Sequence, residues 1–184
     1  MVPALQTGTL PENIDQFLAW EPNDGFKYEW HAGEIIKLEK TNKKHLKLLK
    51  KLARLFLKTQ AHALGGELMY EQDVWLTGIE LRRPDLAYFS AIQIETSDSP
   101  ETEEPIPAFV IEVISTNDQI LSVKAKLKAY FQNGIRVVWL IYPENKLVEV
   151  YTGFKTVQIC TDTDICSAKP VLDDYEIAAS MLFS

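Results

Sequence analysis

Six residues near the middle of the chain, Phe109-Val110-Ile111-Glu112-Val113-Ile114, constrain the fold more than any other feature. A near-continuous apolar run of strand length reads as a central β-strand covered on both faces. Asn117 or Asp118 can cap a helix running to about Gln132, with Asn133-Gly134 as its stop. Val137–Tyr142 then reads as another strand. Strand, helix, strand in this order is a crossover unit, and such units pair their strands in parallel. The expected class is α/β, at the border with α+β, with a central mixed sheet flanked by helices.

The same run holds the least expected residue. Glu112 is the only charge between Ile106 and Thr116. An unpaired buried carboxylate costs several kcal/mol, so this one must be protonated, paired or bound to a cation. A charge in such a place is a functional-site candidate; the plainer readings are a buried ion pair or a strand-end glutamate reaching solvent.

Elsewhere the chain reads as one domain over residues 1–184, with no repeat and no dividing linker. Ile14 to Trp20 suggests a short opening helix, and Lys27–His31 with Glu34–Leu38 suggests a hairpin around Ala32-Gly33. Asn42 can cap a long helix to about His62, stopped by Gly65-Gly66, with His45, Leu49, Leu52, Ala53 and Phe56 as its core stripe. Strand signals follow at Leu68–Tyr70, Asp73–Thr77 and Asp85–Ser90, and later at Leu147–Thr152 and Phe154–Cys160. The acidic stretch from Glu95 to Glu104 reads as a surface loop. The tail from Val171 to Phe183 carries no clear pattern. No apolar run approaches the ~20 residues of a membrane span, and no signal peptide is visible. Cys160 and Cys166 lack CxxC spacing and read as reduced thiols of a cytoplasmic protein without membrane contact.

A net charge of -7 argues against a general nucleic-acid binder, but the charge is uneven. Residues 41–64 hold seven basic residues and no acid, and residues 65–112 hold eleven acids against only Arg82 and Arg83. Residues 113–136 turn basic again, with Lys124, Lys126, Lys128 and Arg136 against Asp118. A fold that brings the two basic segments together can bind phosphates; two solvated helix faces are the plainer reading.

Asp85 supplies a second carboxylate. Pro84 cannot donate to a sheet ladder, so Arg83-Pro84 marks a strand entrance, with Asp85 at its first turn. If that strand neighbours the one holding Glu112, both acids can converge on one hard cation. A lysine on the next helix completes the set. There the stripe Ile120, Val123, Leu127, Tyr130, Phe131 is flanked on opposite edges by Lys124 and Lys126. Periodicity does not choose between them.

Arg83-Pro84-Asp85, then Val110 to Ser115, then Lys126-Leu127 with Tyr130, Gly134 and Val138-Trp139-Leu140, resembles the large bacterial family of putative restriction endonucleases of the PD-(D/E)xK nuclease superfamily. Tyr28-Glu29 with Gly33-Glu34, His45, and the closing Leu172 to Phe183 are similar as well. The resemblance implies a restriction-endonuclease-like domain with an N-terminal hairpin. It implies Asp85 and Glu112 as ligands of Mg²⁺, with Mn²⁺ as a substitute. The place two residues after the second acid, where the superfamily keeps its lysine, is Ile114 here; Lys126 is the matching position, displaced onto the helix. Glu29 matches a helper acid. The implied activity is Mg²⁺-dependent hydrolysis of DNA phosphodiester bonds. Lys47 and Lys51 of the basic helix, and Lys124, are the expected backbone contacts. Thr116-Asn117-Asp118-Gln119 departs from the family's proline-containing turn. A non-catalytic nucleic-acid-binding or protein-interaction module on the same fold is the rival reading.

His31, His45 and His62 show no metal-ligand spacing, and His45 in an apolar stripe reads as a core histidine. No GxSxG, P-loop or GxGxxG occurs. Four tryptophans, placed in the core or an interface, and several edge strands lead to the expectation of a homodimer.

Overall fold

The computed structural model describes residues 10–31, 33–38, 43–77, 80–97, 105–116 and 118–184. Helix α1 (Ile14–Leu18) starts at Asn13, whose side chain accepts from the Gln16 amide. Strands β1 (Lys27–His31) and β2 (Glu34–Leu38) form the expected antiparallel hairpin, turned by Gly33 at φ 96°. β1 also pairs with β5 (Glu80–Arg82), and β5 with β4 (Val74–Thr77), giving a four-stranded sheet in the order β2-β1-β5-β4.

The second sheet has six strands. β3 (Glu67–Tyr70), β6 (Leu86–Phe89), β7 (Phe109–Val113), β8 (Val137–Tyr142), β9 (Leu147–Gly153) and β10 (Thr156–Thr161) lie in the order β10-β9-β8-β7-β6-β3. The crossover helix α5 (Ile120–Gln132) joins β7 to β8, and these two are the parallel pair, with Glu112 beside Leu140. All other ladders of this sheet are antiparallel. Gly134, at φ 91°, ends α5 as its sequence suggests.

Each face of the six-stranded sheet carries a core. Leu48, Leu49, Leu52 and Phe56 of α2 (Lys43–Phe56) pack on Phe109, Ile111, Trp139 and Ile141. On the other face Leu127 and Tyr130 of α5 pack on Ala87, Val110, Val138 and Leu140. A third, small core of Phe17, Tyr28, Trp30 and Leu81 lies under the hairpin. Trp139 is fully buried, stacked on Tyr175 with centroids 5.5 Å apart, and none of the four tryptophans is exposed. Trp30 and Trp139 are buried in cores, and Trp20 and Trp75 pack partly buried against the small core.

Three segments differ from the sequence reading. The long helix is broken: α2 ends at Phe56 and α3 (Gln60–Ala63) begins after Thr59, whose backbone is extended. The Thr59 hydroxyl accepts from the His62 amide and donates to the Phe56 carbonyl, so one side chain closes one helix and opens the next. Helix α4 (Ala91–Ser97) runs into the start of the stretch expected to be loop. Ser90-Ala-Ile-Gln93 is a capping box, with reciprocal bonds between Ser90 and Gln93. The remainder of that stretch, residues 98–104, lies outside the described residues, as do the cap candidates Asn42 and Asn117. The tail without a clear pattern forms β12 (Glu176–Ala178), paired with β11 (Ile165–Ser167), and helix α6 (Ala179–Phe183).

Gly66 allows β3 to start tightly against α3. A Cβ there would meet Tyr88 Cε2 at 2.9 Å and the Ala61 carbonyl oxygen at 3.0 Å. Gly66→Ala is expected to cost about 1–3 kcal/mol by overpacking, a fall of roughly 3–10 °C in Tm for a domain of this size. Differential scanning calorimetry reads it.

Candidate active site at the seam of the two sheets

The segment Arg83-Pro84-Asp85 links β5 of the small sheet to β6 of the large one. It brings the hairpin against the ends of β6 and β7, and the candidate residues gather there.

Glu29 is fully buried on β1. Its Oε1 accepts from Lys126 Nζ at 3.0 Å and from the Arg83 amide at 3.0 Å, and its Oε2 from Arg82 Nη1 at 3.2 Å. Arg82, itself buried, also donates Nε and Nη2 to Glu80 Oε1 at 3.0 and 2.7 Å. Arg83 donates to Asp73 and, through Nη1, to the Tyr28 carbonyl at 3.0 Å.

Asp85 Oδ2 accepts from the Val113 amide at 2.8 Å, which pins the start of β6 to the end of β7. His45 Nε2 of α2 lies 3.0 Å from Asp85 Oδ1. Glu112 Oε1 accepts from the Tyr130 hydroxyl at 2.5 Å and lies 3.3 Å from Lys126 Nζ. Lys126 thus bridges two acids, Glu29 from the small sheet and Glu112 from the large one.

The geometry separates the two lysines that periodicity left equal. Lys126 turns into the seam, whereas Lys124 donates to the Tyr151 hydroxyl at 2.7 Å, on the β9 side of α5. Glu29, Asp85, Glu112 and Lys126 come together. The basic residues of α2 lie apart from them: Lys47 is exposed, and with Lys50, Arg54 and Lys58 it lines a shallow groove. Lys51 is turned to α6, where its ammonium donates to the backbone oxygens of Met181 and Ser184 and to Ser184 Oγ.

Charge burial sets the protonation of the cluster. Burial pushes the Glu112 carboxyl up to about 7, with Asp85 and Glu29 adding repulsion against the pull of Lys126. Burial also pushes Glu29 up, but the Lys126 ammonium, the Arg83 amide and the Arg82 guanidinium outweigh it and hold Glu29 below the ordinary range. Lys126 is lowered by burial and raised more by Glu112 and Glu29, so it stays charged. The Tyr130 hydroxyl is held neutral by burial and by the neighbouring acids.

Asp85 and Glu112 are hard oxygen donors, and a divalent cation would relieve both the burial cost of an ionised Glu112 and the repulsion that Asp85 and Glu29 exert on it. The donor set therefore fits such an ion. Among the described residues no group of three or more His, Cys, Asp or Glu side chains is arranged to hold a metal. Water and substrate oxygens would supply the remaining ligands, as suits Mg²⁺.

Three members of the cluster were not singled out as site residues. Arg82 carries one signal, as half of the only basic pair in an acidic quarter of the chain. Tyr130 reads as part of an apolar stripe, and His45 as part of a core stripe. For both, only the tertiary partner reveals the polar end.

A family model described as Uma2, putative restriction endonuclease, matches residues 14–180. Among solved structures the chain is similar to a putative nuclease belonging to DUF820 from Anabaena variabilis ATCC 29413. That likeness has 19% identity and a TM-score of 0.77, and covers 92% of this chain and 96% of the other. No curated protein matches the chain. The likeness thus spans nearly the whole length of both chains.

In metal-free protein the two glutamates shift stability in opposite directions with pH. Glu112 has a folded-state pKa raised from 4.5 to about 7, so its stabilising contribution is complete below pH 4.5 and is lost as pH rises to about 7. Glu29 has a lowered folded-state pKa, so its contribution is present above pH 4.5 and lost as pH falls through the folded value. Urea midpoints measured against pH in chelator should decline between pH 4.5 and 7 in wild type, and Glu112→Gln should flatten that decline. An unchanged slope in the variant would place Glu112 in a different environment.

Proposed function

The chain belongs to the Uma2 family of putative restriction endonucleases, and we propose that it hydrolyses DNA phosphodiester bonds with a divalent metal, Mg²⁺ first and Mn²⁺ as substitute. One observation carries this reading. A charged lysine from α5 sits 3.3 Å from Glu112, with Asp85 at the adjoining strand end, so the superfamily's lysine function is met from a helix rather than from the strand.

In this reading Asp85 and Glu112 hold the metal, whose chemistry when bound is to polarise the scissile phosphate and lower the pKa of a water. Lys126 remains protonated, so it does not accept a proton; it stabilises negative charge gathering on the phosphate and orients the attacking water. Glu29 keeps Lys126 charged and aimed, which makes it a positioning residue. Tyr130 holds Glu112 Oε1, leaving the other carboxylate oxygen for the ion. The Val113 amide holds Asp85 Oδ2, and His45 Nε2 lies beside Oδ1, so the two together orient the Asp85 carboxylate. Lys47, Lys50 and Arg54 of the α2 groove, and Lys124, contact the backbone, which sets register without reading sequence. Lys51 contributes to that groove while holding α6. One such site cuts one strand, so double-strand cleavage calls for two copies. The cytoplasm, where DNA and reduced thiols coexist, is the proposed location; no helix among the described residues is long and apolar enough to cross a membrane.

Two experiments test this. Mg²⁺ or Mn²⁺ should raise the Tm of wild type by mass action, and Glu112→Gln should abolish that response. Equal shifts in both would rule out a Glu112 metal site. In cleavage assays Lys126→Ala should lose about 100-fold or more while keeping the metal-induced shift in Tm, as expected for an electrostatic stabiliser that is not a ligand. Lys124→Ala should cost only binding, with a shallower salt dependence, and Lys47→Ala should weaken binding without changing the rate at saturating DNA. A dead Lys124→Ala beside an active Lys126→Ala would overturn the assignment. Wild type that binds DNA yet cleaves none with either metal would support the non-catalytic reading.

A further inference from the structure

The six-stranded sheet ends in β10, and among the described residues no strand pairs with its outer edge. Unprotected edges are a liability that chains normally blunt with charge, proline or shortness. β10 has none of these: Thr-Val-Gln-Ile-Cys-Thr is six residues long, uncharged and rich in β-branched residues. The other edges differ. β3 carries Glu67, β2 carries Glu34 and Lys37, and β4 has only four residues; the register shift in β10 lies at its start, between Thr156 and Val157, and leaves Val157 to Thr161 regular.

We propose that β10 pairs antiparallel with β10 of a second copy of this chain. The backbone selects the register. Asp164 already occupies the outward groups of Thr161, its amide donating to the Thr161 carbonyl and its carboxylate accepting from the Thr161 amide. At a period of two, the outward backbone groups left are those of Val157 and Ile159. Pairing centred on Gln158 sets Val157 of one copy against Ile159 of the other, twice, and satisfies both sets of groups. Cys160 is buried on the face of the sheet that α2 and α6 cover, so Val157 and Ile159, 46% and 60% exposed, lie on the opposite face. There the four aliphatic side chains of the pair cover one another.

Charge complementarity fits the same arrangement. Each β10 is basic at its start, at Lys155, and acidic past its end, at Asp162 and Asp164. Antiparallel pairing brings each basic end to the other's acidic end, in a chain whose net charge of -7 otherwise opposes self-association. The second copy is also what double-strand cleavage calls for, but the pairing stands on residues outside the candidate site.

Light scattering on the full chain, coupled to size exclusion, should give twice the 21.0 kDa chain mass at micromolar concentration. Ile159→Lys, which sets unneutralised charge into the seam, should raise the dissociation constant by about 100-fold or more without moving the monomer's circular dichroism. Gln158→Cys tests the register: residue 158 faces itself in a non-hydrogen-bonded pair, whose Cα separation suits a disulfide. In a Cys160→Ser background, which removes the thiol that this register sets opposite residue 156, air oxidation should link Gln158→Cys into a covalent dimer, while Thr156→Cys should not link. A wild-type mass of 21.0 kDa throughout the micromolar range would overturn the proposal. So would a dimer that Ile159→Lys leaves intact, or cross-linking at Thr156→Cys in preference to Gln158→Cys.

Discussion

The ammonium of Lys126 lies between two buried carboxylates that reach it from different sheets, Glu29 at 3.0 Å and Glu112 at 3.3 Å. Neither acid would be stable there alone as an anion, because desolvation penalises each and the two repel. The lysine makes their burial tolerable and joins the hairpin sheet to the crossover unit. Arg82 performs the matching service on the far side of Glu29, shared with Glu80. The result is a polar seam through the middle of the molecule, closed on its apolar flanks by the cores under α1 and α5.

In the proposed reading, the crossover is what lets a lysine on the helix stand in for one on the strand. α5 returns over β7 and β8, so a helix residue with a long, flexible stem can reach the carboxylate that an in-strand lysine two places on would flank. Ile114 at that strand place is free to be apolar and lies among the residues packed under α5. The displacement has a structural cost: the lysine's aim now depends on the packing of Leu127 and Tyr130 beneath α5 and on Glu29 from another sheet. A site so held is sensitive to residues that touch no phosphate.

Much of this was legible in the sequence, and the limits are physical. The run Phe109–Ile114, the helix after it and Val137–Tyr142 carry strong periodicity, and their strand-helix-strand order demands parallel pairing, which is found. Glu112 was legible as a buried acid because nothing else in its run is charged, and Asp85 because Pro84 fixes a strand entrance. Lys124 and Lys126 could not be told apart because the buried stripe of α5 is narrower than its apolar composition. Leu127 and Tyr130 are buried, while Ile120 is 75% exposed. A pattern centred on Ile120 therefore points to the wrong azimuth. The partners of Arg82, His45 and Tyr130 are 53, 40 and 18 residues away, and no local pattern encodes contacts at such separations. The helix break at Thr59 and the helix opened by Ser90 rest on single hydroxyls, which a reading dominated by apolar periodicity passes over.

The dependence of the lysine on Glu29 is the part of the account most open to direct measurement. Cleavage rates at saturating DNA and metal for Glu29→Gln, Lys126→Ala and the double variant form a cycle that reads the coupling alone. If Glu29 acts by aiming a charged Lys126, each single variant loses rate and the double variant loses little more than Lys126→Ala. Losses that multiply in the double variant would show the two residues acting independently, and would contradict the bridge as the organising element of the site.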